Sequence, residues 1–248
     1  VPGADLRALA IGGVRARRVR RQPRVPSWGL KVVMAVTGCV FALFVLVHMI
    51  GNLKVFTGAE HFNEYAHWLR TVMQPFLPYE GLLWIVRAVL LACLVGHVGA
   101  APVLLARARA SRGAQPRRGT TLRSFTARTM PITGLVLLGF IVFHVLDLTT
   151  GTGAAASDAF VPATATQAHA YENLVASFRR PIVAGVYMFT MIALFLHLAH
   201  GLWTVVSDLG VTGRRLRAVG YGVAGGVALA VMLGNIVIPI AVLTGMVS

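Results

Sequence analysis

Acidic side chains are scarce in this chain: 8 Asp and Glu among 248 residues, against 23 Lys and Arg. Charged residues of both signs together make up only 12%, about half the share a soluble domain carries. That removes most of the material for a solvated surface and argues against an ordinary water-soluble globule. The 56% of hydrophobic residues argues equally against a disordered or nucleic-acid-packaging chain, in spite of a formal charge of +15. Cysteine is nearly absent. Cys39 and Cys93 are the only two, too few for a disulfide framework, and both lie in apolar stretches, so any role they have is in packing or in chemistry. No nucleotide or flavin fingerprint is present either.

Lipid must supply the missing solvent. A spanning helix needs about 20 mostly apolar residues, and five segments reach that length: 31–53, 81–106, 129–150, 181–207 and 219–247. The expected fold is all-α, an integral membrane bundle of five transmembrane helices over residues 29–248, preceded by a basic tail over residues 1–28. The tail is Arg-rich and the first apolar run is too long for the core of a signal peptide, so the tail is expected to be retained. Segments 54–80 and 151–178 have room for short surface helices, punctuated by Pro75, Pro78, Gly151 and Gly153. No inverted repeat of the transporter kind is visible.

Charge position sets the expected orientation. Eight basic residues lie within 1–31, seven within 107–128, and Arg214, Arg215 and Arg217 follow, which puts 18 at one end of the bundle. The other end has Lys54, Arg70, Arg179 and Arg180. The positive-inside rule therefore places the N-terminus in the cytoplasm and Ser248 outside, in a multi-pass protein of the inner (plasma) membrane. The basic tail lacks interleaved aromatics and abuts a span, so it reads as an anchor beside anionic lipid or an acidic partner, and no nucleic-acid partner is expected.

Four histidines, His48, His97, His144 and His197, lie one in each of the first four spans. At about 1.5 Å per residue, His48 sits about 8 Å and His144 about 9 Å from the outer ends of their spans, at one level. On the same ruler His97 and His197 sit about 15 and 16 Å from the inner ends, at a second level. Two opposed imidazoles on facing helices offer two axial nitrogens to a metalloporphyrin, and a bundle core is a usual place for one. Gly38, Gly51, Gly96, Gly134, Gly139 and Gly201 near these levels would let a flat ring approach the backbone, although small residues also serve ordinary helix packing in lipid.

At these residues the chain resembles the single-subunit, five-helix cytochrome b anchor of succinate dehydrogenases and fumarate reductases, in its actinobacterial form. The stretches that carry the resemblance are FVLVHMIGN at 44–52, HFNEYAHWLR and PFLPYE at the outer side, LLACLVGHVGA at 90–100, ITGLVLLGFIVFH at 132–144 and LHLAHGLW at 196–203. It covers roughly residues 27–208. The resemblance implies a membrane anchor that passes electrons from an iron–sulfur subunit, itself served by a flavoprotein subunit on the cytoplasmic face, to a membrane quinone. It implies one or two haem b groups, with His48 and His144 holding a distal one and His97 and His197 a proximal one. The succinate chemistry would lie on another chain. The alternative is a non-redox structural membrane anchor for a peripheral dehydrogenase.

Some residues depart from that pattern. Cys39 and Cys93 bracket the level of His97 and His197, and His200 follows His197 by three positions. Two thiolates and two imidazoles could instead ligate a Rieske-type 2Fe–2S cluster in place of the proximal haem. Candidate quinone-binding residues at the inner edge are Ser27, Trp28, Lys31, Ser124 and Arg128. Glu64, His67, Glu80 and Arg87 form a polar group on the outer side. Arg87 lies about 10 Å inside its span, where a cation needs a partner or must reach outward, and Asp147, one turn beyond His144, is a candidate partner.

Overall fold

A computed structural model describes residues 25–112, 122–208, 210 and 213–248. The basic tail over 1–24 lies outside the described residues. The described chain is helical, with no strand. Five helices are long and apolar enough to cross a membrane: Ser27–Thr57, Gly81–Ser111, Arg128–Thr150, Pro181–Asp208 and Arg214–Leu243. The protein is thus an all-α, multi-pass membrane bundle. In chain order the α-helices are α1 (Ser27–Asn52), α2 (Ala59–Thr71), α3 (Gly81–Arg112), α4 (Leu122–His144), α5 (Ala170–Phe178), α6 (Pro181–Asp208) and α7 (Arg214–Leu243).

Local chemistry sets the boundaries. Pro26 and Pro181 stand at the starts of α1 and α6, where a missing N–H costs nothing. Pro102, Pro131 and Pro239 lie inside spans, which membrane helices tolerate when neighbours satisfy the freed carbonyl. α4 does not end as an α-helix. It widens into a π-helical turn, Val145–Thr150, and stops at Gly151, whose φ is +62°. The ring of Phe160 occupies the space that a side chain at Gly151 would need. Both the backbone angle and the close ring therefore call for glycine there.

α6 is the hub. It packs against α7, α4 and α1, and α3 packs chiefly against α1. At one end, which carries Ser27, Arg107 and Asp208 and is called the basic end here, Lys31 Nζ donates to Asp208 at 3.2 Å and Arg107 donates to Ser27 Oγ at 3.0 Å. At the far end α2 and α5 cap the bundle as surface helices, joined by Asn63 Nδ2 donating to Glu172 and by the Tyr171 N–H donating to Asn63 Oδ1. The larger buried cluster sits beneath them: Val55, Phe62, Leu174, Phe178, Tyr187 and Ile238 are among its members. Only 6% of the spanning residues of α3 and of α4 are buried by protein, against 39% of those of α6. The close packing therefore runs along α6 and α7, while α3 and α4 stand out from it.

Candidate functional site

The four intramembrane histidines meet in two pairs. His97 on α3 and His197 on α6 have ring centres 6.4 Å apart, and His48 on α1 and His144 on α4 have ring centres 5.9 Å apart. The helices carrying each pair make almost no close backbone approach to one another. The rings therefore reach across space that the packed helix pairs leave between them. A metal–imidazole bond is about 2 Å, so two imidazoles on one metal place their ring centres about 6 Å apart, which is the separation found at both levels.

The protons on these rings follow from their partners. Thr37 is buried at 8% exposure, and its hydroxyl donates to the Val33 carbonyl at 2.6 Å while lying 2.9 Å from His97 Nδ1. A hydroxyl has one hydrogen. When that hydrogen goes to the carbonyl, Thr37 is left as an acceptor for a proton on His97 Nδ1. Thr133 repeats the arrangement: its hydroxyl bonds back to the Met130 carbonyl at 3.1 Å and lies 3.1 Å from His197 Nδ1. At the far-end level Tyr187 OH donates to Asp147 Oδ2 at 2.8 Å and lies 3.2 Å from His144 Nδ1. With Nδ1 protonated, each of the three rings donates to its hydroxyl and leaves Nε2 with its lone pair, the tautomer a metal ligand needs. His48 is steadied by its own helix, its ring stacked on Phe44 at 5.3 Å.

The backbone beside the rings is bare where bulk would interfere. A Cβ at Gly38 would lie 3.7 Å from His97 Cε1, and one at Gly134 would lie 3.4 Å from His197 Cε1. A Cβ at Gly134 would thus already touch the ring. Gly51 instead faces Tyr65, and Gly96 faces Val33 and Thr37, whereas a Cβ at Gly139 or Gly201 would meet nothing within 4 Å.

The two thiols differ in their surroundings. Cys39 is exposed and Cys93 half-buried. Cys39 follows Thr37 by two residues, about 200° around the helix. Once Thr37 faces His97, Cys39 must face away. Depth along the helix put the two residues at one level, and rotation separated them. Among the described residues no group of three or more His, Cys, Asp or Glu surrounds a common point. The four-ligand set of Cys39, Cys93, His97 and His197, with or without His200, is thus not assembled here. It is the ring of His197 that meets His97, and His200 lies half-buried one step around the same helix.

The polar groups at both ends also differ from the simple expectation. Arg87 donates to Glu80 at 3.3 Å and lies over the Trp84 ring at 4.8 Å. It reaches along its own helix toward the far end and does not meet Asp147. Asp147, with a side chain 0% exposed, is instead paired with Arg180 at 2.7 Å. Glu80 also binds Arg70 at 3.0 Å, Glu64 pairs with His61, and His67 Nδ1 is buried without a hydrogen-bond partner. Of the inner-edge candidates, Ser27 and Lys31 are engaged by Arg107 and Asp208, Trp28 is 71% exposed, and Arg128 is exposed. The side chain of Ser124 lies outside the described residues.

Sequence reasoning missed Thr37, Thr133, Tyr187 and Ser177. A threonine in an apolar helix carries no signal of its own, because back-bonding to a carbonyl satisfies it anywhere. Comparison of the chain with models of known families, with curated proteins and with solved structures finds no match.

Proposed function

We propose that the chain is the membrane anchor and electron-transfer subunit of a succinate:quinone oxidoreductase (respiratory complex II), holding haem b between its histidine pairs and passing electrons from an iron–sulfur subunit to a membrane quinone. The observation that carries the reading is the pairing itself. At two levels, imidazoles from separate spans stand with ring centres 5.9 and 6.4 Å apart, and three of the four have Nδ1 within hydrogen-bond distance of a hydroxyl.

The donor set fits the group. His97 and His197 would hold one haem and His48 and His144 the other. Haem iron, when bound, supplies one-electron redox chemistry at each level. Thr37, Thr133 and Tyr187 hold the Nδ1 edges of three of the rings and so orient them. On the positive-inside argument the basic end faces the cytoplasm of a plasma membrane. There its arginines offer complementary charge to an iron–sulfur subunit that in turn carries the flavoprotein. Ser27 and Lys31, tied to Arg107 and Asp208 at the edge of the slab, and Trp28 beside them supply the hydrogen-bond donors that a quinone carbonyl needs.

The test is the spectrum of the purified protein before and after dithionite. A Soret band that shifts on reduction is expected, with His97→Ala and His197→Ala each losing one and the same component. Iron-free protein, or full iron in both variants, would overturn the reading and leave a tether for a peripheral dehydrogenase.

A further inference from the structure

The two histidine pairs rest on different chemistry. His97 and His197 each have Nδ1 against a threonine hydroxyl, an uncharged partner. Behind His144 runs a chain of charge. Tyr187 accepts from Nδ1 and donates to Asp147 Oδ2, which also accepts from Ser177 Oγ at 2.5 Å. Asp147 Oδ1 accepts from Arg180 at 2.7 Å, and Arg180 donates on to the Ala156 carbonyl at 3.0 Å.

Each link is held rigidly. The π-helical turn after His144 carries Asp147 round toward α5 and α6, where Ser177 and Tyr187 await it. The Tyr187 ring is boxed by Phe140 at 5.0 Å, Phe143 at 5.9 Å and Phe178 at 4.8 Å. Phe140 also stacks on His144 at 5.7 Å. Asp147 and Ser177 are 1% and 0% exposed, whereas the Arg180 side chain is 31% exposed. An ion pair that served only to join α4 to α6 would not need Tyr187 between its carboxylate and the imidazole.

We infer that Tyr187 and Asp147 are positioning residues for His144, which lock its tautomer and lend it anionic character, so that the far-end centre is tuned by a buried carboxylate and the other centre is not. The inference rests on the haem reading above and deepens it. An imidazole whose Nδ1–H is drawn toward a carboxylate is a stronger donor, and a stronger donor favours the oxidised metal.

The experiment uses the full-length purified protein in Tyr187→Phe and Asp147→Asn forms, with redox titration of the reduced absorption band and low-temperature spin resonance. Tyr187→Phe keeps the ring and the packing. Expected is an upward shift in the midpoint of one centre only, the one absent from His48→Ala, with a changed resonance signal, unchanged iron content and an unaltered second centre. Asp147→Asn is expected to shift the same centre in the same direction. Thr133→Val should leave that centre where it is. Haem in the parent protein, with the same midpoints and signals in Tyr187→Phe, would overturn the positioning role and leave the haem reading standing. No haem in the parent overturns both.

Discussion

Asp147→Ala removes an acceptor on which three donors converge: Arg180 at 2.7 Å, Ser177 at 2.5 Å and Tyr187 at 2.8 Å. Breaking a buried ion pair from one side costs about 3–5 kcal/mol. Arg180 is 31% exposed and recovers some water, which puts the expected loss at the lower end, about 3 kcal/mol. That is roughly a hundredfold in the folding ratio, at about 1.4 kcal/mol per tenfold. The internal comparison is Asp208→Ala. Its partner Lys31 lies 3.2 Å away, with side chains 28% and 56% exposed, and a surface pair of this kind is worth less than about 1 kcal/mol. Reversible unfolding by denaturing detergent in mixed micelles, followed by tryptophan fluorescence, measures both variants against the parent. A loss for Asp147→Ala no larger than that for Asp208→Ala would refute the reasoning, because burial of the pair is what separates the two.

Thr37→Val keeps shape but strips the acceptor from His97 Nδ1, so iron retention at that level is expected to fall about tenfold, and Thr37→Ser should restore it; metal analysis after dialysis reads both. Gly134→Leu drives a side chain into the His197 ring, whose Cε1 lies 3.4 Å from the Cβ position, and is expected to abolish the same centre. Gly226→Leu on α7, where a Cβ meets nothing within 4 Å, should leave the spectrum intact. The Cys39→Ser, Cys93→Ser double variant is expected to keep full iron and an unchanged spectrum; loss of acid-labile sulfide with it would restore the thiols to the metal site.

Much of the architecture was legible in the chain. Five runs of about 20 apolar residues are long enough to cross a membrane, and a chain that crosses as single segments must do so as helices, since lipid leaves the backbone no other way to satisfy its polar groups. The depth of each histidine was legible for the same reason: a helix rises by a constant amount per residue, so counting from span ends put His48 beside His144 and His97 beside His197, the pairs that meet at 5.9 and 6.4 Å. The surface helices α2 and α5 fell within the two loops long enough to hold them.

Rotation was not legible. Thr37 and Cys39 sit almost at one depth, and only the packing of α1 on α3 turned the threonine to His97 and the thiol outward. The partner of Asp147 was hidden for a related reason. An α-helical count pointed it toward Arg87, but the π-helical turn carried it to Arg180, and the local sequence does not announce where a helix will widen. Composition and rise per residue thus determined by themselves the five apolar spans and the heights of the four histidines, because those depend on one helix at a time. Which face each helix turns to its neighbours, and so which hydroxyl holds which imidazole, was decided only by tertiary structure, because it depends on packing several helices at once.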